Sequence, residues 1–575
     1  MSNNTFNKFD STLVESSEDF IVIGEGSMGG KAEGLAFYKN IIDKQIDKTK
    51  YPEIDISIPK LIVLKTGVFE KFMELNKLYL LANSDESDEK IAAEFQKAAL
   101  PEDILDKLKD HIVKMHTPLA IRSSSMREGA KFAPFAGVYA TKMIPNNQNS
   151  AEDRLNSLTS AIKFVYASTF FKAAKDYLTV TKSPTEHEKM AVIIQEVMGS
   201  KYQNRFYPKF SGVARSYNYY PVNETKPEEG VVNLALGLGK QIVDGGLTWV
   251  YSPTRPKAAP PFSNNDDLRD NTQRKFWSIG MEHKNSNNPT DEDEHLIESE
   301  IDIAETDGSL ELIASTYSNE SNRLVLGINA EGPRVLNFGM LLQFSEFNFN
   351  NLILDLLKVS EQAFESPVEI EFAVTPAEDK KIEFGFLQVH PMVVTSEEVS
   401  INEDELTSDS AIVSSNKVLG NGTRNDIYDI VFLKPENFHK AYTRRIALEL
   451  EGLNHRLILD EIPYVLIGFG RWGSSDPWLG IPAKWNQISG ARVIVESTLP
   501  DMNVELSQGS HFFHNLTSFN VSYFSVHHQL NSKINWEWLN DQKLIKETNF
   551  IKHVRIDKPL NIKVDGKTSQ GVILK

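Results

Sequence analysis

Two periods run through the hydrophobic and polar positions of this chain. Short apolar runs bounded by glycine, proline or charge predict strands at 20–23 (F-I-V-I), 60–68, 118–121, 310–316, 429–433, 464–470 (Y-V-L-I-G-F-G) and 492–496. Residues 367–374 (P-V-E-I-E-F-A-V) alternate strictly, so Val368, Ile370 and Phe372 face one way and Glu369 and Glu371 the other. A charged turn at 378–381 then reverses the chain into a strand at 383–389, which sets Gln388 beside the carboxylate strand. Apolar residues at helical spacing predict helices from Ala32 (Leu35, Phe37, Tyr38, Ile41), over 166–177 (Tyr166, Phe170, Phe171, Tyr177) and over 352–364 (Ile353, Leu356, Leu357, Phe364). Another is predicted to open at Pro435 (Phe438, Tyr442, Ile446, Leu450). This mixture predicts an α+β domain whose strands feed loops at one edge, followed by a smaller α/β domain.

Three segments carry candidate chemistry. Residues 121–141 read I-R-S-S-S-M-R-E-G-A-K-F-A-P-F-A-G-V-Y-A-T. A strand ending at Ile121 would deliver Arg122 to fork onto phosphate oxygens. Ser123, Ser124 and Ser125 would add neutral donors, Ala136-Gly137 would let backbone N–H groups approach an anion, and Thr141 would offer another hydroxyl. A serine-rich surface turn leading into an edge strand has the same composition. The second segment, Gly24-Glu25-Gly26-Ser27-Met28-Gly29-Gly30-Lys31, follows the first strand directly. It fails the P-loop pattern, because position 25 is Glu and position 32 is Ala. It meets G-x-G-x-x-G at Gly24, Gly26 and Gly29, yet no strand ending in an acid follows about 20 residues on, as a dinucleotide fold requires. What remains is a glycine loop able to wrap an anion, with Lys31 as a point charge. In the third segment, Glu369 and Glu371 share one sheet face and repel each other unless they are solvated or hold a cation. Mg²⁺ bound by one or two carboxylates plus substrate phosphates satisfies that need, and a solvent-exposed hairpin face is the alternative.

The formal charge of −18 makes nucleic acid and anionic membranes poor partners for the surface as a whole. Much of that acidity sits at 285–305 (N-S-N-N-P-T-D-E-D-E-H-L-I-E-S-E-I-D-I-A-E), which reads as a solvated inserted loop. The chain has no cysteine, which excludes disulfides and thiol catalysis within it and fits a reducing compartment. The first ten residues have no apolar core and no run approaches the roughly 20 apolar residues that span a bilayer, so the expected location is cytoplasmic.

The order and spacing of these segments resemble the ATP-binding domain of the phosphoenolpyruvate synthase and pyruvate phosphate dikinase family, over most of residues 18–395. The resemblance rests on G-G-K at 29–31, I-R-S-S at 121–124, F-A-G-x-x-x-T at 135–141, S-G-V-A at 211–214, L-G-L-G at 236–239, E-I-E at 369–371 and L-Q-x-H-P at 387–391. It implies an ATP-grasp-like fold over residues 1–398. It also implies that Lys31, Arg122, Gly137 and Thr141 hold the phosphates of ATP, with Gln195 (in A-V-I-I-Q-E-V-M) on the base, Glu369 and Glu371 on Mg²⁺, and Gln388 beside them. Lys31 and Arg122 then double as catalytic residues that neutralise charge on the transferring group. Lys240 stands where the family carries an acid, and His390 where it carries an arginine; Arg127 or Lys131 would compensate for the lost cation.

The resemblance also defines what is missing. No stretch reads T-S-H-A, the family's phosphohistidine motif, and the part beyond residue 398 is too short for a (β/α)₈ barrel of about 250 residues. An acidic linker is expected at 399–417 and a small α/β domain at 418–575. In the latter, 471–482 (R-W-G-S-S-D-P-W-L-G-I-P) reads as an exposed loop that binds an anion or partner, or packs on itself. His511, in S-H-F-F-H, is a faint phosphocarrier candidate; with His514 it makes a poor zinc site, since no third ligand is near in sequence. Two functions follow. One is a Mg-ATP-dependent phosphotransferase acting on a histidine, which would be His511 or belong to a separate phosphohistidine or barrel protein, or on a small molecule. The other is a nucleotide-binding regulatory protein that has lost turnover.

Overall fold

The structure, a computed structural model, describes residues 18–126, 128, 137–180, 188–219, 225–258, 268, 272–282, 288–318, 320–321, 323–344, 347–377, 381–392, 399–474, 476, 478–499, 516, 519–528, 533–566 and 568–575. Its N-terminal part is built on two main sheets. The first has the strand order Phe20–Ile23, Leu61–Leu64, Met190–Glu196, Leu119–Ser125, Thr141–Ile144, with a parallel first pair and antiparallel pairs thereafter. The second runs Trp249–Tyr251, Val231–Ala235, Phe210–Arg215, Val368–Pro376, Ile382–Pro391, Ile54–Ser57, and every pair but the last is antiparallel.

Each sheet has a helix-covered face, and Phe20, Leu61, Val63 and Ile193 of the first sheet also join the core of the second. Helices Thr66–Leu75, Asp88–Lys97, Glu102–Ile112 and Ala151–Ser168 cover one face of the first, with Phe69, Phe72, Phe95 and Tyr166 packed ring against ring. Helices Gly29–Gln45 and Phe349–Phe364 cover the second. Between them the Tyr38 hydroxyl bonds Ser360 at 2.6 Å, and the Tyr38 ring stacks on Phe386 at 3.8 Å. The apolar spacing at Leu35, Tyr38 and Ile41 therefore reports burial on the second sheet.

The C-terminal part is layered helix, sheet, sheet. A seven-stranded mixed sheet has parallel central strands Asp429–Leu433, Tyr464–Phe469, Ala491–Ser497 and Ser522–Val526. Helix Thr443–Leu459 packs on one face and a five-stranded antiparallel sheet on the other. Three expectations change here. Ala411–Ser415, inside the stretch read as an acidic linker, is a fully buried strand of the five-stranded sheet, because A-I-V-S-S supplies apolar cover that the flanking acids mask in composition. The helix expected from Pro435 starts at Thr443, preceded by short 3₁₀ turns at Pro435–Asn437 and Lys440–Tyr442. The stretch from Arg471 is not an exposed loop at its start: Trp472 is 1% exposed under Gly468, its N–H donates to Glu496 at 2.7 Å, and Trp478 alone of the two indoles stands out in solvent.

The two parts touch through Arg471, which donates to the Gly245 carbonyl at 2.8 Å, through Lys172 and Glu451 at 3.3 Å, and through Phe519, which meets Tyr177 and stacks on Trp485. Among the described residues no helix is long and apolar enough to cross a membrane.

Among the described glycines the tightest backbone approach is at Gly29, where the glycine-rich loop enters its helix. With φ +74°, a Cβ there would sit 1.7 Å from the Ser124 carbonyl oxygen. Gly29→Ala is predicted to cost about 2–4 kcal/mol in urea unfolding, from left-handed strain plus overpacking. Gly308→Ala, at φ +71° with nothing within 4 Å, is the matched control and should lose about 1–2 kcal/mol.

Candidate functional site

The glycine loop and the serine strand are locked together from within. Arg122 lies in the middle of Leu119–Ser125, not at the strand's end, because the strand continues through the three serines. Those serines are wholly buried. Ser124 Oγ accepts from Ala32 N–H at 3.1 Å and donates to the Met28 carbonyl at 2.9 Å. Ser123 Oγ donates to Glu128 at 2.8 Å, and Glu128 also accepts from Ser125 N–H at 2.8 Å. Lys31 reaches the same carboxylate at 2.8 Å. Small hydroxyls are needed here as cross-ties, and Glu128 holds Lys31 in place on the cleft wall.

Arg122 spans the gap between the two sheets. Its Nη1 donates to Gln195 Oε1 at 3.3 Å in its own sheet and to the Leu387 carbonyl at 3.1 Å in the other. Its Nη2 donates to Gln388 Oε1 and lies 3.7 Å from Glu371. Gln388 in turn contacts His390 through its amide nitrogen. Gln195 is 2% exposed, yet its amide nitrogen has no hydrogen-bond partner. A buried donor of this kind costs free energy for as long as it lacks an acceptor.

Strand alternation does put Glu369 and Glu371 on one face, but their environments differ. Glu369 sits opposite Arg215 on the neighbouring strand and accepts from its Nε at 2.5 Å, with both side chains almost fully buried. It does not line the cleft, so a metal site using both carboxylates is not formed; Glu371 is the carboxylate that faces the cleft.

The acidic insertion is not a solvated bystander. Glu292 accepts from the Thr141 backbone N–H at 2.7 Å, Glu294 pairs with Lys142 at 2.8 Å, and Asp293 lies 3.4 Å from Lys240. Lys240 also pairs with Asp244 at 2.8 Å and stands over the Trp277 ring. Burial alone would lower the Lys240 pKa, but the charges of Asp244 and Asp293 outweigh it and raise the value above the ordinary lysine range. Desolvation raises the Glu292 carboxyl against the hydrogen bond from the Thr141 N–H, and raises the Asp244 carboxyl against the pull of Lys240.

Lys31, Arg122, Gly137, Thr141, Gln195, Glu371 and Gln388 all line one cleft of about 1000 Å³. Its far wall comes from the C-terminal part, where Lys484 and Arg444 add two exposed cations. His511 and His514 lie outside the described residues, as do Arg127, Lys131 and Ala136. Among the described residues no group of three His, Asp or Glu side chains clusters as a closed metal site. Glu128, Arg215, Glu292 and Lys484 are among the participants that escape sequence reading. Arg215 alone left a signal, as a charge closing the apolar strand that faces Glu369.

Removing one partner of a buried pair leaves the other charge stranded. Glu369→Ala is predicted to lose about 3–5 kcal/mol of stability by urea unfolding. Glu371→Ala, in a longer and more open pair, should lose clearly less. Equal losses would contradict the distinction drawn between the two carboxylates.

Comparison with known families gives one match: the family described as pyruvate phosphate dikinase, AMP/ATP-binding domain, matches residues 25–410. No curated protein matches the chain. The matched range covers more than half of the sequence and contains the second sheet, the first sheet apart from its edge strand Phe20–Ile23, the glycine loop from Glu25 onward, Arg122 and the carboxylate strand, and the chain accordingly belongs to the pyruvate phosphate dikinase AMP/ATP-binding domain family.

Proposed function

We propose that the chain is a Mg-ATP-dependent phosphotransferase of the phosphoenolpyruvate synthase type, with an ATP-grasp-like first domain that holds the nucleotide between its two sheets. The observation that carries this reading is the convergence of Lys31, Arg122, Gly137, Thr141, Gln195, Glu371 and Gln388 on a single cleft from segments as much as 357 residues apart in sequence. Its volume is at the upper end of the range for ligand sites, enough for a nucleotide with space beside it.

In this reading Gln195 offers its unpartnered amide to the adenine side. Lys31 and Arg122 exchange their carboxylate partners for phosphate oxygens, and the backbone from Gly137 to Thr141 closes over them. Glu371 and the Gln388 carbonyl oxygen supply the hard oxygen ligands Mg²⁺ prefers, the remainder coming from phosphate and water; Glu369 is committed to Arg215. Bound there, Mg²⁺ would neutralise charge developing on the phosphates. The acceptor is a histidine, His511 or one on another polypeptide, or a small molecule held against the C-terminal wall at Arg444 and Lys484. A second reading, nucleotide binding without turnover, is favoured by Lys240, whose charge is already satisfied by Asp244 and Asp293.

Incubation with Mg-ATP separates the readings. AMP with phosphate, or a mass gain of one phosphoryl group on the protein, is the expected result for the transferase. Bound ATP recovered intact supports the regulatory protein, and ADP alone overturns dikinase-type chemistry in favour of a simple kinase or ATPase. Arg122→Ala is predicted to weaken binding of a non-hydrolysable ATP analogue by about 10- to 100-fold, the worth of its charge-assisted hydrogen bonds. Unaltered affinity in a folded variant would remove the site.

A further inference from the structure

The segment 288–294 is built to stay where it is. Asn288 Oδ1 accepts from the Thr290 N–H at 3.1 Å and hydroxyl at 2.8 Å, and Asp291 Oδ1 accepts from Asp293 N–H at 3.2 Å, closing two tight turns before strand Leu296–Glu300 begins. Lys142 anchors the turn from behind. Its ammonium, with the side chain only 9% exposed, bonds both the Asp291 carbonyl and the Glu294 carboxylate.

The anchoring aims the two intervening acids forward. Thr141 opens the edge strand of the first sheet, so its outward N–H has no strand to pair with, and Glu292 takes it at 2.7 Å. Asp293 takes a share of Lys240. Glu292, Asp293, Thr141 and Lys240 all line the cleft. A backbone N–H serves one well-aligned acceptor at a time, and a carboxylate next to a phosphate adds like-charge repulsion.

We infer that Glu292, with Asp293 beside it, is an internal competitor for the polyphosphate: it occupies the Thr141 donor until a phosphate oxygen displaces it, and so sets which ligands the cleft accepts. The inference rests on the nucleotide reading above and assigns a specificity role to a segment outside that reading. A ligand with a phosphate chain must expel Glu292, whereas a nucleoside without phosphates need not. A contact that merely braced the loop would have the opposite signature, since removing it would loosen the cleft and weaken every ligand.

The test compares full-length protein with Glu292→Gln, Glu292→Ala and the control Glu298→Gln, an exposed acid paired with Lys275 on the adjoining strand. Calorimetric titrations use a non-hydrolysable ATP analogue, inorganic tripolyphosphate and adenosine. The expected result is binding of the first two about tenfold tighter in both Glu292 variants, the scale of one charge-assisted hydrogen bond, with adenosine and the control unchanged. In the wild-type protein, tripolyphosphate should speed amide exchange across 288–296, a readout independent of any variant. Unchanged or weaker polyphosphate binding in the Glu292 variants, an equal gain for adenosine or for Glu298→Gln, or exchange that slows across 288–296 overturns the inference while leaving the nucleotide reading intact. Failure of the wild-type protein and all variants to bind either phosphate ligand overturns both.

Discussion

One guanidinium bridges the two main sheets across the cleft. Arg122 rises from the middle of a strand in the first sheet, keeps a bond to Gln195 on the neighbouring strand and lays its other donors on the Leu387 carbonyl and Gln388 of the second sheet, beside Glu371. A lysine could not reproduce this, because an ammonium is a point charge without the planar fork that addresses two sheets at once. Every other element of the cleft is arranged around that span. The glycine loop is pressed onto the next residues of the same strand, the carboxylate strand faces it, and Gln195 is left with a buried amide nitrogen that the bridge does not satisfy.

A site for a polyphosphate in a chain of net charge −18 could be expected to stand out as a bare positive patch. It does not. Lys31 is paired with Glu128, Arg122 faces Glu371, Lys142 holds Glu294, and Lys240 is shared by Asp244 and Asp293. Charges this poorly hydrated need partners in the ligand-free protein, and in the proposed reading an anionic ligand binds by trading places with them. The acids near the cleft are therefore part of its chemistry, since they set how much of the attraction is already used.

Much of this was legible in the sequence, and the limits have physical causes. Local periodicity found the strand at Phe20–Ile23, the helix Phe349–Phe364 and the shared face of Glu369 and Glu371, since those depend on neighbours in the chain. It failed where the deciding partner is remote. Glu369 looks equivalent to Glu371 until Arg215 is seen across the ladder, and the serines look like free donors until the Met28 carbonyl and Glu128 are seen to take them. The acidic insertion has the composition of a solvated loop, and nothing local announces that Lys142 and Thr141 are waiting for it. The buried strand Ala411–Ser415 was masked by the acids on its flank.

The helix Gly29–Gln45 carries Lys31 in its first turn and Tyr38 two turns later, with Gly29 wedged against Ser124 at one end and Tyr38 stacked on Phe386 and bonded to Ser360 further along. It thus works as a stiff lever whose fulcrum is the second sheet. The backbone of the lysine is fixed by these contacts, so adjustment at its ammonium falls to the flexible side chain, which Glu128 holds. The bond between Tyr38 and Ser360, outside the cleft, thus helps fix where the stem of that side chain is rooted.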